Sequence, residues 1–256
     1  MAPPDLKRRI SERGPQFGCW LEMFSPIAAE VVAQAGYDFV LIDLEHGPGS
    51  YLDAIALMQA IQGRDCVPLM RVPSNDEVAL KRALDTGVAG VMVPAVNTAA
   101  EAAAAVAACH YPPRGRRGMA AAVVRGADYG LRAAEYIESA GTALLVMCQI
   151  ESAEAVENVT AIAAVEGVDM LFVGPFDLSA SVGHPGQPDH PEVRALIARV
   201  EAAAQAAGTR LGAIPTPERS AAELVAAGYE LIIADADVLL LRDGARASLA
   251  QLRAET

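Results

Sequence analysis

Eight short runs of apolar and β-branched residues recur along the chain, each followed by a longer Ala- and Leu-rich stretch. That alternation limits the available folds more than any single motif. The runs are 17-FGCWLEMF-24, 39-FVLIDLE-45, 67-VPLMRV-72, 90-GVMVPAV-96, 143-ALLVMCQIE-151, 170-MLFVG-174, 210-RLGAIPT-216 and 231-LIIADAD-237. Between them lie segments such as 52-LDAIALMQAIQG-63, 76-DEVALKRALDTG-87 and 192-EVRALIARVEAAAQAAG-208, most of them ending at a glycine that stops a helix. Near-continuous apolar strands alternating with helices predict a parallel sheet covered on both faces. Eight such units in 256 residues fit a closed (β/α)8 TIM barrel. An open doubly wound sheet normally has fewer units, and no GxGxxG follows the first strand. No linker interrupts the pattern, so a single barrel domain is expected over 1–256.

A net charge of −12 argues against nucleic acid or an anionic membrane as the main partner, because both require a basic face. The start, 1-MAPPDLKRRISERG-14, has charges but no apolar core of a signal peptide, and the Ala-rich 102-AAAAVAAC-109 is too short to span a bilayer. Cys19, Cys66, Cys109 and Cys148 are scattered without a CxxC pair. They read as reduced, mostly buried thiols of a cytoplasmic protein.

Polar residues gather at the C-terminal ends of the strands: Asp43, Glu45 and His46 on the second, Arg71 on the third, Gln149 and Glu151 on the fifth. Asp177 follows the sixth strand, and Asp235 and Asp237 end the eighth. In a (β/α)8 barrel these ends share the rim where chemistry takes place. Glu151 and Asp177, on neighbouring strands with no His or Cys beside them, make an oxygen-only pair suited to Mg²⁺ or Mn²⁺. Alternatively, each carboxylate caps a helix or pairs with an arginine of 114-RGRR-117. His46 is a candidate base, with Asp43 three residues earlier as the acceptor that orients its ring. Arg71 offers a fixed cation for a developing oxyanion. The amides of Phe176 and Asp177 in 174-GPFDLS-179 could hold a carboxylate at a helix start, or form a plain loop. His110, His184 and His190 receive no chemical role; His110 reads as a helix cap and His190-Pro191 as a helix start. The only lysines, Lys7 and Lys81, fall outside strand ends, so a Schiff-base mechanism lacks its nucleophile.

Taken together, 42-IDLEHGP-48, 70-MRVP-73, 112-PPRGRRG-118, 149-QIES-152, 174-GPFDLS-179 and 183-GHPGQPDHPEV-193 resemble the HpcH/HpaI family of metal-dependent 2-keto acid aldolases, over nearly the whole chain. The resemblance implies a barrel of the phosphoenolpyruvate/pyruvate-domain type and a divalent cofactor, Mg²⁺, Mn²⁺ or Co²⁺, held by Glu151 and Asp177. It implies Gln149 and the Phe176 and Asp177 amides as contacts to a 2-keto acid, His46 as base, and Arg71 beside the enolate oxygen. The expected reaction is reversible cleavage of a 4-hydroxy-2-keto acid to pyruvate or hydroxypyruvate plus an aldehyde, through a metal-bound enolate. The family's aspartate that raises the histidine's basicity matches Asp85 in 84-LDTG-87. Asp85 ends a helix that runs away from the rim, so it would serve a neighbouring subunit of a homohexamer, a trimer of dimers; otherwise it merely closes its own helix turn. Phe176 stands where the family often has a small residue, and Ala-Asp-Ala precedes 237-DVLLLRDG-244 where a Gly-containing stretch is common. An acyl-CoA lyase like the citrate lyase β-subunit, and a barrel that only binds a keto acid, are the alternatives.

Overall fold

The computed structural model describes residues 5–255. The extreme ends of the expected 1–256 unit, and the first four residues of the leaderless reading, lie outside them. Eight parallel strands close on themselves in chain order, β1 to β8, with β8 returning to pair with β1. They are β1 (Gln16–Leu21), β2 (Phe39–Asp43), β3 (Val67–Arg71), β4 (Gly90–Val93), β5 (Leu145–Ile150), β6 (Met170–Val173), β7 (Arg210–Ala213) and β8 (Leu231–Ala236). The helices are α1 (Leu6–Arg13), α2 (Pro26–Ala35), α3 (Tyr51–Ala60), α4 (Glu77–Asp85), α5 (Ala99–Cys109) and α6 (Ala133–Ser139) in the first part. They continue as α7 (Ala153–Glu157), α8 (Val159–Ala163), α9 (Pro175–Ser181), α10 (Pro191–Ala207), α11 (Ala221–Ala226) and α12 (Asp237–Ala254). The closed parallel barrel is the fold that the alternation predicted.

Period-2 alternation sorts the strand residues into two cores. Val40, Ile42, Met70, Val91, Val146 and Cys148 face the helix layer. Phe39, Leu41, Leu69, Met92, Leu145, Met147 and Phe172 fill the lumen, and Leu6 and Ile10 of α1 pack into that inner cluster. Extending the inward series one step past the packed lumen reaches Asp43, Arg71, Gln149 and Gly174, and a second step on β5 reaches Glu151. The same parity that fills the barrel therefore carries these residues into its C-terminal mouth. All four cysteines are free and buried, as expected. His110 is the C-cap residue of α5 and His190 the N-cap of α10, matching the roles read for them.

The last helix departs from a plain barrel. Of the 18 residues of α12, Asp237 alone is buried. Leu239, Leu240, Leu241, Leu249 and Leu252 are exposed, as are Ile27 and Val31 on α2.

Candidate active site

The mouth is organised around a buried ion pair. Asp43 and Arg71 are direct partners in the β2–β3 register. Arg71 donates from Nε to Asp43 Oδ1 at 2.9 Å and from Nη2 to Oδ2 at 2.7 Å. Its Nη1 lies 3.1 Å from Glu45, and its guanidinium carbon lies 4.4 Å from the ring centre of Trp20. Asp43 Oδ1 also accepts the amides of Glu45 (3.0 Å) and His46 (3.4 Å). This corrects one expectation: Asp43 does not orient the imidazole of His46. Its oxygens are taken by the guanidinium fork and by the backbone that carries His46, so it fixes the loop and not the ring. The loop is also fixed by close packing, since a Cβ on Gly47 would fall 2.3 Å from the Asp43 carbonyl oxygen and 2.4 Å from the Phe24 ring. His46 itself is exposed at the mouth.

Opposite stand Gln149 and Glu151 at the end of β5. Glu151 Oε1 accepts the Ala95 amide at 2.6 Å, and Oε2 accepts the Gln149 amide nitrogen. Ala95 has φ 53°, a left-handed conformation that is uncommon for a residue with a Cβ and that aims its N–H at the carboxylate. Gly174 lets the next strand approach: a Cβ there would lie 3.0 Å from the Glu151 Cβ, 3.2 Å from Gln149 Nε2 and 3.3 Å from Glu151 Oε2. Asp177 lies in the first turn of α9, exposed beside Phe176. The Phe176 and Asp177 amides fall in that same turn, where a helix supplies no acceptors of its own. The arginines of 114–117 do not pair with these carboxylates. Arg114 bonds the Gly141 carbonyl, Arg116 bonds Glu77 and Arg117 bonds Asp85.

The charges do not balance. Burial pushes the Glu151 carboxyl up, the Ala95 bond opposes this, and Asp177 and Glu45 push it further. Glu45 is likewise raised, by burial first, against the pull of Arg71 and His46. Glu22, the residue after β1, is raised by burial and by Asp43 and Asp237. Crowded carboxylates facing one guanidinium are the environment a divalent cation relieves. The donor set fits one. Glu151 and Asp177 supply hard oxygens, and Gln149 Oε1 is buried with no partner.

Other rim residues have structural tasks. Asp235 accepts the Tyr37 hydroxyl at 2.9 Å, and the buried Asp237 accepts the amides of Glu22 (3.0 Å) and Met23 (3.2 Å), fixing the turn after β1. Asp85, at the far end of α4, accepts Arg117 Nη2 at 2.8 Å; its partner is that buried arginine and not its own helix turn. Sequence reading overlooked Glu22, Trp20 and Ala95. Trp20 and Glu22 could have been found by parity, because Gln16, Gly18 and Trp20 already point inward; a left-handed alanine leaves no trace in sequence.

The HpcH/HpaI aldolase/citrate lyase family model matches residues 16–243. A hydroxypyruvate/pyruvate aldolase of Paraburkholderia phytofirmans is 41% identical over 97% of both chains. A 4-hydroxy-2-oxo-heptane-1,7-dioate aldolase of Salmonella dublin is 39% identical over 98% of this chain and 95% of its own. The crystal structure of an aldolase/citrate lyase family protein from Burkholderia cenocepacia superposes with a TM-score of 0.92 at 39% identity, covering 98% of this chain and all of that one. With its barrel, its rim and its near full-length relatives in agreement, this chain belongs to the HpcH/HpaI aldolase/citrate lyase family.

Proposed function

We propose that the protein is a class II aldolase, a divalent-metal-dependent lyase that reversibly cleaves 4-hydroxy-2-keto acids to pyruvate or hydroxypyruvate and an aldehyde. The observation that carries this reading is the electrostatic imbalance at the mouth: Glu151 and Asp177 converge with Glu45, while Asp43 already occupies Arg71. Glu151 and Asp177 would hold the ion, which when bound supplies a Lewis acid that polarises the keto oxygen. The Phe176 and Asp177 amides receive the substrate carboxylate, and Gln149 contacts the keto acid. Arg71, held by Asp43, keeps a fixed positive charge beside the oxygen that becomes the enolate. His46 takes the C3 proton in the synthetic direction. In cleavage it takes the C4 hydroxyl proton as the C3–C4 bond breaks. A Schiff-base route has no lysine at the rim, since Lys7 is paired with Asp169 at 2.7 Å and Lys81 lies within α4. An acyl-CoA lyase reading gains no support from Arg114, Arg116 and Arg117, which are spent on other partners.

Two further assignments belong to this reading. The chain is a homo-oligomer, a hexamer by family resemblance. The exposed leucines of α12 and the exposed Ile27 and Val31 of α2 give each copy an apolar helix to insert and an apolar strip to receive one. Asp85 of a second copy would raise the basicity of His46, since within one chain it lies at the opposite end of α4 from the rim. No helix among the described residues is long and apolar enough to cross a membrane. The four unpaired thiols are the cysteine usage of a reducing compartment, so we assign the protein to the cytoplasm.

The test is exchange of pyruvate methyl protons with D₂O, followed by NMR with Mg²⁺ or Mn²⁺ present. Wild type should exchange, and His46→Ala should be slower by roughly 10²–10⁴-fold. Pyruvate binding without exchange would make the protein a keto-acid-binding barrel and end the aldolase reading.

A further inference from the structure

The loop joining α9 to α10 holds a cluster that the aldolase reading does not use. Its backbone is fixed at several points. The His184 amide donates to the Ser179 carbonyl at 2.8 Å, the Gln187 amide to His184 at 3.0 Å, and the His190 amide to Gln187 at 3.1 Å. Gly183 and Gly186, at φ 81° and 75°, make the two turns. The imidazoles of His184 and His190 are thereby stacked, with ring centres 3.5 Å apart and planes 23° from parallel. His184 Nε2 lies 2.8 Å from Glu192 Oε2, and His190 Nδ1 accepts the Glu192 amide at 3.3 Å. One ring nitrogen of each histidine and one oxygen of Glu192 lie within 4.8 Å of one another, the one three-ligand group of this kind among the described residues.

The geometry points to a second metal site, formed by His184, His190 and Glu192, that takes a borderline transition ion such as Zn²⁺, Co²⁺ or Ni²⁺. Two imidazoles and one carboxylate select such ions over Mg²⁺, the reverse of the all-oxygen pair at the rim. Ligand bonds of about 2.0–2.1 Å place tetrahedral donors roughly 3.3 Å apart, so the widest gap in the present group must close by up to about 1.5 Å. Closing it takes rotation of exposed Glu192 and of the two half-buried rings, which must leave their stacked planes because a metal lies in the plane of each imidazole that binds it. The ion would replace the proton now shared between His184 and Glu192. At His190 it would displace either the long cap bond to Nδ1 or the proton on Nε2. Binding therefore releases protons and tightens as pH rises. Three protein ligands leave a tetrahedral ion one open position for water or an anion. Because α9 carries Asp177 in its first turn, an ion here would also tether the segment that follows that helix.

The experiment counts ions on the whole chain. Protein stripped with chelator is dialysed against Zn²⁺ and analysed by mass spectrometry, and Co²⁺ loading is followed by visible absorption. The Glu151→Gln/Asp177→Asn double variant, which lacks the rim carboxylates, should still bind one Zn²⁺ per chain and give the Co²⁺ band. Adding His184→Ala should abolish both. His190→Asn should do the same while keeping a side-chain acceptor at the start of α10, so its loss of metal would not reflect loss of the cap. No Zn²⁺ on the double variant would overturn the proposal. Zn²⁺ retained after both histidines are replaced in folded protein would also overturn it, by placing the ion elsewhere.

Discussion

Replacing Arg71 tests both how the mouth is built and why its charge is held in place. Asp43 is fully buried and Arg71 is 6% exposed, so neither charge has water to fall back on. Arg71→Ala removes two short bonds and leaves the carboxylate uncompensated, which for a buried pair costs about 3–5 kcal/mol. In a chain of this size that is a fall in Tm of roughly 6–20 °C. Arg71→Lys keeps the charge but loses the fork, the contact to Glu45 and the stacking on Trp20, so about half that loss is expected. The pH dependence is more diagnostic. Burial alone would raise the Asp43 carboxyl, but the Arg71 bonds and the Glu45 and His46 amides outweigh it and hold it below the usual range. A depressed carboxyl contributes stability above its unfolded value, near pH 4, and loses it as pH falls through the folded value. In Arg71→Ala only the Glu45 and His46 amides still oppose burial, so the carboxyl rises and its contribution falls as pH rises. The gap in Tm between wild type and Arg71→Ala, measured by calorimetry from pH 4 to 7, should therefore widen with pH. A gap of under 2 °C, or one that does not change with pH, would mean that the Asp43–Arg71 pair does not hold the mouth together.

Gly174→Ala should fold, at a cost of about 1–3 kcal/mol for overpacking, and should weaken Mn²⁺ binding because the new methyl presses on Glu151 and Gln149. Unchanged affinity by electron paramagnetic resonance titration would mean that the close approach is not used. For Asp85, mixing inactive Asp85→Asn with inactive His46→Ala subunits should restore part of the activity, and dilution below the dissociation constant of the assembly should lower it. A fully active monomer in sedimentation would remove Asp85 from the site.

Strand ends made much of the mouth legible in the sequence. Asp43, Arg71, Gln149 and Glu151 each continue an inward series of apolar residues, and the barrel brings them together as that series requires. Strand-end position alone misleads where the ladder slips. The β1–β8 register shifts between Gly18 and Cys19, pairing Gly18 with Ile233 but Cys19 with Asp235. That irregularity turns Asp235 towards Tyr37 instead of the lumen. The partner of Asp43 was misjudged for a different reason. His46 is near in sequence, but register across the β2–β3 pair sets Arg71 opposite it. The Ala95 amide was not legible at all, because no side chain announces a left-handed turn.

If Glu151 and Asp177 bind the divalent ion on which catalysis depends, turnover must follow the metal. Cleavage of a 4-hydroxy-2-keto acid, followed as pyruvate release, is measured in exhaustively chelated protein with and without added Mg²⁺ or Mn²⁺. Activity should vanish after chelation, recover fully when metal is added to wild type, and stay absent in folded Glu151→Gln or Asp177→Asn. Full turnover by chelated wild type, or metal-restored turnover in either variant at the wild-type rate, would contradict that assignment.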